Sequence, residues 1–392
     1  AVSLLAEERA WPELDRPRRS AVSSFGISGT NAHVILEQGP VEVSGAQDDV
    51  PVLVSARTPE ALDAQIERVA AASSVDAGFT LARRALFEHR AVLHRGVELA
   101  RGRATTTAQR PVFVFSGEGA QWAGMGRELL ASNPVFAARM AECAAALDPH
   151  VEWSLLEVIR GEQPMDRVDV SQPVLWAVTV SLAAVWESYG VKPAAVVGHS
   201  RGEIAAATVA GILTLQDAAK LIAARGKLLV PLQGRGAMVA VRELPEPGEW
   251  EVAAVNADNS IVLGGTAEQL AGIEGARKVS EAFAFHTSQM DGLSLDDVPV
   301  AAPEVPFYST VTGQKLEAID DGYWTRNLRS TVLFRDAIRN LQDDGYTAFV
   351  EVSPHPVLVP VIAAETAIGT LRRDNDGFLL TSLAQAHVAG IK

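Results

Sequence analysis

From Pro111 onward the chain alternates short apolar runs with longer helical stretches, and no other feature limits its possible folds so strongly. The runs "PVFVFSGEG", "PAAVVGHS", "VPFYSTVTG" and "TAFVEVSPH" pass into glycine or polar turns. Sequences such as "MGRELLASNPVFAARMAECAAAL", "PVLWAVTVSLAAVWESYG" and "RGEIAAATVAGI" have helical patterning. Strands alternating with helices predict an α/β domain around a largely parallel sheet. Between Gly236 and about Ser280 the pattern becomes strand-rich, with "AMVAV", "EVAAVNA" and "SIVLGG" before a helix in "TAEQLAGIEG". A small α+β insertion accounts for it.

Ahead of Pro111, residues 38–109 read as a separate small unit. It has a strand in "VPVLVSA", helices around 59–72 and 78–87, another strand near "EHRAVLHRGVELA", and a linker "GRATTTAQR". Residues 1–37 close with "SSFGISGTNAHVILE", a glycine-rich turn and an apolar strand, which look like the end of a domain. The expected divisions are 1–37, 38–109, 110–235, 236–286, 287–366 and 367–392. No internal repeat is visible.

With 392 residues, 48% of them hydrophobic, the chain has length for two or three domains. Its net charge of −14 argues against generic nucleic-acid binding, though not against a local site for one small anion. The single cysteine, Cys143, excludes a disulfide framework and a cysteine-based metal cluster, and no metal site is expected. It fits a cytoplasmic protein. The N-terminal sequence lacks the pattern of a signal peptide, and no apolar run reads as long enough to cross a bilayer, so no membrane association is expected.

The strand "PAAVVGHS" leads directly into Gly-x-Ser-x-Gly around Ser200 and then a helix. In that setting the glycines relieve crowding in a sharp strand-to-helix turn, and the helix N-terminus offers N–H groups to an oxyanion. Ser200 is the candidate nucleophile; the bland reading is a tight turn with an incidental serine. Among the histidines, His286 follows an apolar run and opens a polar turn, as a base at a cleft edge would. His355, between two prolines, reads as a structural loop residue, and His199 should point away from the side chain of Ser200. On the helix "TLQDAAKLIAARGKLL", with Thr214 and Asp217 in a capping-box arrangement, Arg225 shares the buried face of Leu221 and Ile222. A guanidinium aimed at the core needs an anion, either a buried carboxylate or a substrate carboxylate.

At this point the sequence resembles the acyltransferase domain of a modular type I polyketide synthase together with its flanking linkers. "FVFSGEGAQWAGMGREL" is similar to that domain's opening motif, "GHSRGE" to its nucleophile elbow, and "EVSPHPVL" with "SLAQAHVAG" to its end and the following linker. Residues 1–37 resemble the end of a ketosynthase domain and 38–109 the ketosynthase–acyltransferase linker. The resemblance implies an α/β-hydrolase-like large subdomain of the malonyl-CoA:acyl carrier protein transacylase type, residues 110–235 and 287–366. It also implies an inserted ferredoxin-like subdomain, 236–286, and a post-acyltransferase linker, 367–392.

The implied reaction is ping-pong. Ser200 takes an acyl group from an acyl-CoA, and the acyl group then passes to the phosphopantetheine thiol of an acyl carrier protein. His286 matches the general base, and Arg225 the arginine that grips the free carboxylate of the extender unit. Backbone N–H groups of Glu118 and Arg201 match the oxyanion hole, and Gln172 matches a pocket-lining position. No bound cofactor is implied. The implied partners are the carrier protein and the ketosynthase domain of the same polypeptide, and the excised domain is expected to be a monomer.

The sequence departs from the family at several points. Glu118 and Arg201 stand where the family usually has glutamine, or an aliphatic residue at the second position. They either pair across the oxyanion hole or impair the site. "FAFH", Phe283 to His286, resembles the malonyl-type motif, with Phe285 filling the space of an α-methyl group, whereas "RVDVSQP" resembles the methylmalonyl signature. Malonyl-CoA is favoured over methylmalonyl-CoA. Segments 242–250 and 290–303 are shorter than usual. A serine esterase or thioesterase and a non-catalytic scaffold stand as alternatives to the transferase.

Overall fold

The computed structural model describes every residue except 1–3, 5, 8, 12–14, 40–49, 71–73, 105–108, 281, 376 and 392. The start of the expected 38–109 unit, the end of the helix expected at 59–72 and the middle of "GRATTTAQR" therefore lie outside the described residues. The chain forms two units, divided after Asp48. The first is built on an antiparallel hairpin of Arg19–Phe25 and Asn31–Glu37, whose turn places Gly29 at φ 87°. Its apolar residues Val22, Phe25 and Ile35 are exposed, and a two-stranded ribbon alone gains little stability.

The second unit opens with an antiparallel sheet of Val52–Ala56, His89–His94 and Val97–Arg103, with helices Pro59–Ala70 and Ser74–Ala82. Here "EHRAVLHRGVELA" is a hairpin rather than one strand, because Arg95 and Gly96 both adopt positive φ and reverse the chain. The second helix also stops earlier than expected. Beyond it the backbone is drawn onto the sheet, where the Ser55 hydroxyl accepts from Phe87 N–H at 3.2 Å. The C-terminal helix Phe378–Ala389 packs on this sheet through Val92, Ala384 and Val388.

The expected α/β core is a six-stranded sheet. Its order is Lys315–Leu316, Phe307–Tyr308, Ala195–Gly198, Pro111–Phe115, Ala348–Glu351 and Thr366–Gly369, parallel except for the first strand. Its central strands are buried at every position because both faces are covered, which is why they read as unbroken apolar runs. The last strand carries the large sheet past the boundary expected at residue 366. The sequence "MGRELLASNPVFAARMAECAAAL" forms two helices, Arg127–Ser132 and Pro134–Leu147. The break falls where Asn133 Oδ1 accepts from the N–H groups of Val135 and Phe136, and Pro134 opens the second helix.

The helix expected from Pro173 begins at Val168 and runs to Ser188. By length and composition it is apolar enough to cross a membrane, against the reading of the bare sequence, but the protein's own core buries 89% of its most apolar stretch.

The insertion is a four-stranded antiparallel sheet in the order Arg277–Ser280, Ala237–Val241, Ser260–Gly265, Glu251–Ala257. Numbered along the chain this is 4-1-3-2, the arrangement of a β-α-β-β-α-β ferredoxin-like unit. One crossover holds the short helix Ala267–Leu270, which packs on the sheet through Leu270; the other, 242–250, carries no helix.

Candidate active site

Ser200 sits between the strand Ala195–Gly198 and the helix Gly202–Val209, at φ 56°. The strained conformation thus falls on the serine, and the glycines serve close approach. A Cβ at Gly198 would lie 2.2 Å from Glu203 N, and one at Gly202 would lie 2.3 Å from the Phe115 carbonyl oxygen. Any larger residue at either point would force the helix off the sheet and lower the serine.

His286, also at positive φ (63°), completes a dyad. Its Nε2 is 2.7 Å from Ser200 Oγ, and its Nδ1 is 2.8 Å from the carbonyl oxygen of Ser330. A carbonyl only accepts, so Nδ1 carries the proton and the Nε2 lone pair faces the serine hydroxyl. Burial, then the Arg225 charge, then His199 push the imidazole down to about 3, so it is neutral across the physiological range. His199 turns to Asn256, with Nε2 2.8 Å from Oδ1, and His355 accepts from Arg373 N–H in a loop.

Arg225 is 1% exposed on the helix Leu215–Leu229, whose N-cap Thr214 accepts from Asp217 N–H. The Asp217 carboxylate bonds the Thr214 hydroxyl rather than the N-cap N–H, so half of the expected capping box forms. Among the described residues Arg225 makes no ion pair, and its Nε and Nη1 have no hydrogen-bond partner. Burial and then Arg201 lower it to about 9, which still leaves it cationic at neutral pH. No carboxylate among the described residues forms an ion pair with Arg225, although the charges of Glu118 and Glu203 act on it from a distance.

Arg201 and Glu118 meet as their complementary charges suggest: Nε is 3.2 Å from Oε1, an ion pair whose N–H is not aligned on the oxygen. Arg201 Nη2 donates to the Gly117 carbonyl at 2.6 Å, and Glu118 also accepts from Gln121 Nε2 at 2.7 Å. Arg201 is buried, whereas the Glu118 side chain is 32% exposed.

A cleft of about 310 Å³ is lined by Ser200, His286, Glu118 and Phe285 together with Met238 and Arg277 from the four-stranded sheet. Phe283, Gln172, Arg201 and Arg225 do not line it; they lie buried outside its lining. Phe283 stacks on Phe285, with centroids 4.7 Å apart. Among the described residues, both side-chain polar atoms of Gln172 lack hydrogen-bond partners.

Comparisons with known proteins identify the family of the fold. The family described as acyl transferase domain matches residues 112–392, and the ketoacyl-synthetase C-terminal extension matches residues 2–99. The acyltransferase domain from module 8 of the salinomycin polyketide synthase superposes with a TM-score of 0.81 at 41% identity, covering 88% of this chain and 97% of that one. The chain belongs to the acyltransferase domains of modular polyketide synthases.

Among longer relatives, this acyltransferase is 44% identical to erythronolide synthase EryA3 of Saccharopolyspora erythraea. It is 45% identical to the pikromycin synthase component PikAII of Streptomyces venezuelae. In both comparisons all of this chain is covered but only 14% and 12% of the relative. The first alignment runs over 460 residues against 392 here, so the relative carries segments that this acyltransferase lacks.

Sequence reasoning missed the groups behind the dyad. Ser330 enters as a main-chain oxygen and leaves no side-chain signal. Glu203, Thr310, Tyr323 and Asn327 form a buried network behind the elbow. Only Glu203 left a trace, as the lone charged residue in the small, mostly apolar helix Gly202–Val209.

Proposed function

We propose that this domain moves a malonyl-type extender unit from coenzyme A to the phosphopantetheine thiol of an acyl carrier protein. The observation that carries the reading is the Ser200–His286 dyad at 2.7 Å with the charge of Arg225 acting on His286, a buried guanidinium that has no ion pair among the described residues. His286 Nε2 takes the hydroxyl proton as Ser200 Oγ attacks the thioester carbon. Backbone N–H groups of Glu118 and of Arg201, the helix N-cap, receive the developing oxyanion. The carbon–sulfur bond breaks, and the coenzyme A thiolate leaves with the proton held by His286. The carrier thiol then gives its proton to His286 and attacks the acyl-serine; the bond from the acyl carbon to Ser200 Oγ breaks, and His286 returns the proton to that oxygen.

Arg225 holds the free carboxylate, and Arg277 and Lys278 in the cleft wall suit the anionic coenzyme. A bound carboxylate also cancels the second cause that depresses His286, and so brings the base toward its working range. The relatives' length and the ketosynthase-extension match support a position beside a ketosynthase in a longer polypeptide. A hydrolase is disfavoured because a main-chain carbonyl, not a carboxylate, orients the base, and neutral esters have no use for Arg225.

Intact-mass spectrometry tests the reaction. Malonyl-CoA should add one malonyl group to the wild type and none to Ser200→Ala, and carrier protein should then remove it. Rapid loss to water without carrier would favour the hydrolase, and no adduct would favour the scaffold.

Malonyl is the favoured unit because Phe285 lines the cleft directly before the base, braced by Phe283. Phe285→Ala should shift the kcat/KM ratio toward methylmalonyl-CoA by about 10-fold or more, the value of roughly 1–3 kcal/mol for one methylene-sized contact. An unchanged ratio in competition assays would remove Phe285 from substrate choice.

A further inference from the structure

The buried carboxylate of Glu203 is used by no step above. It lies on the first turn of the helix Gly202–Val209, fully shielded from solvent. It accepts from Thr310 N–H, from the Tyr323 hydroxyl at 2.8 Å and from Asn327 Nδ2 at 2.8 Å, and Thr310 Oγ1 lies 3.0 Å away. A carboxyl group taken this far from water persists only when such partners surround it.

Two of those partners also hold the elbow. Thr310 Oγ1 donates to the carbonyl of Gly198 at 2.9 Å, and Asn327 Nδ2 donates to the carbonyl of Ser200 at 3.0 Å. The peptide carbonyls flanking His199 and closing Ser200 are thus each tied to Glu203 through one side chain. Tyr323 and Asn327 lie on the helix Tyr323–Arg329, and the residue that ends this helix is Ser330. The Ser330 carbonyl receives His286 Nδ1–H. One carboxyl group therefore links the turn that presents the nucleophile to the helix end that orients the base.

We propose that Glu203 is the positioning residue of this dyad: through Thr310, Tyr323 and Asn327 it fixes the nucleophile elbow against the helix whose end holds His286. The inference rests on Ser200 and His286 being the reacting pair, as argued above. The proton count supports it. Thr310 has one hydroxyl proton and two oxygen neighbours, Gly198 O and Glu203 Oε1. When Glu203 is protonated, its O–H donates to Thr310 Oγ1, Thr310 donates to Gly198, and both contacts are met. Burial pushes this carboxyl up to about 7, so that proton is held near neutrality.

The test uses a fluorophosphonate, which reports on the dyad without requiring an acyl-CoA: Ser200 Oγ bonds to phosphorus, fluoride leaves, and His286 takes the hydroxyl proton. Labelling rates are read by intact mass. Glu203→Gln and Asn327→Ala should each slow labelling about 10-fold, and the double variant should be no slower than the slower single variant, as expected for residues in one network. With malonyl-CoA and carrier protein, kcat should fall while KM stays within about twofold, the pattern of lost dyad alignment rather than lost binding.

An unchanged labelling rate in folded Glu203→Gln, or additive effects of the two substitutions, overturns the proposal. Where Glu203→Gln fails to fold by circular dichroism, Tyr323→Phe, which deletes one hydroxyl, should slow labelling about threefold; no change there overturns it equally. A wild type that reacts with the fluorophosphonate but with neither malonyl- nor methylmalonyl-CoA would sink the transfer reading and leave this inference standing. A Ser200 inert to the fluorophosphonate overturns both.

Discussion

Arg225→Ala is expected to slow acylation of Ser200 by malonyl-CoA by about 100- to 1,000-fold, while transfer from acetyl-CoA or propionyl-CoA is spared or rises. The magnitude follows from burial. A charge-assisted, two-pronged contact shielded from water is worth about 3–4 kcal/mol, and each 1.36 kcal/mol is about tenfold in rate. The direction for monocarboxylic substrates follows from the missing anion. Arg225 makes no ion pair among the described residues, so a substrate without a carboxylate leaves a desolvated cation unanswered and a base held down by its field. Alanine removes both penalties. Single-turnover mass spectrometry with the two substrate classes makes the comparison. Equal losses on both would assign Arg225 to structure.

The second large effect concerns Glu118 and Arg201. Glu118→Gln leaves a guanidinium buried without its counter-charge, and Arg201→Gln leaves a carboxylate beside the developing oxyanion. Each single substitution is expected to slow acylation by about 10- to 100-fold, toward the smaller value for a pair whose acidic member is 32% exposed to screening solvent. The double change to glutamine restores electrical neutrality and should recover most of the rate. Such recovery is a coupling energy between neighbours. Additive losses would mean that the two residues act separately and that their contact contributes nothing to turnover.

Much of this was legible in the sequence because it depended on periodicity. The parallel core followed from runs such as "PAAVVGHS", which are apolar throughout because both sheet faces are covered. The elbow followed from glycines that no Cβ could replace. Arg225 was visible as a charge on the apolar stripe of its helix, and Glu118 and Arg201 as paired departures of opposite sign. Other features lay beyond local pattern. The early start of the helix at Val168 depends on tertiary packing, and the hairpin depends on Arg95 adopting positive φ beside Gly96. Glu203, Thr310 and Asn327 lie far apart along the chain and meet only because the strand Phe307–Tyr308 pairs beside Ala195–Gly198.

The orienting partner of His286 is a peptide oxygen, and every amino acid carries one. No substitution at residue 330 deletes it, so the base's tautomer is insulated from point mutation in a way that a side-chain aspartate never is. The vulnerability moves to the path of the chain. A proline or an insertion near 330, or a shift of the preceding helix, would turn the imidazole even though every chemical group remained in place. In this domain the dyad is therefore specified by where the backbone runs, and variants that silence it should cluster among the residues that anchor that backbone.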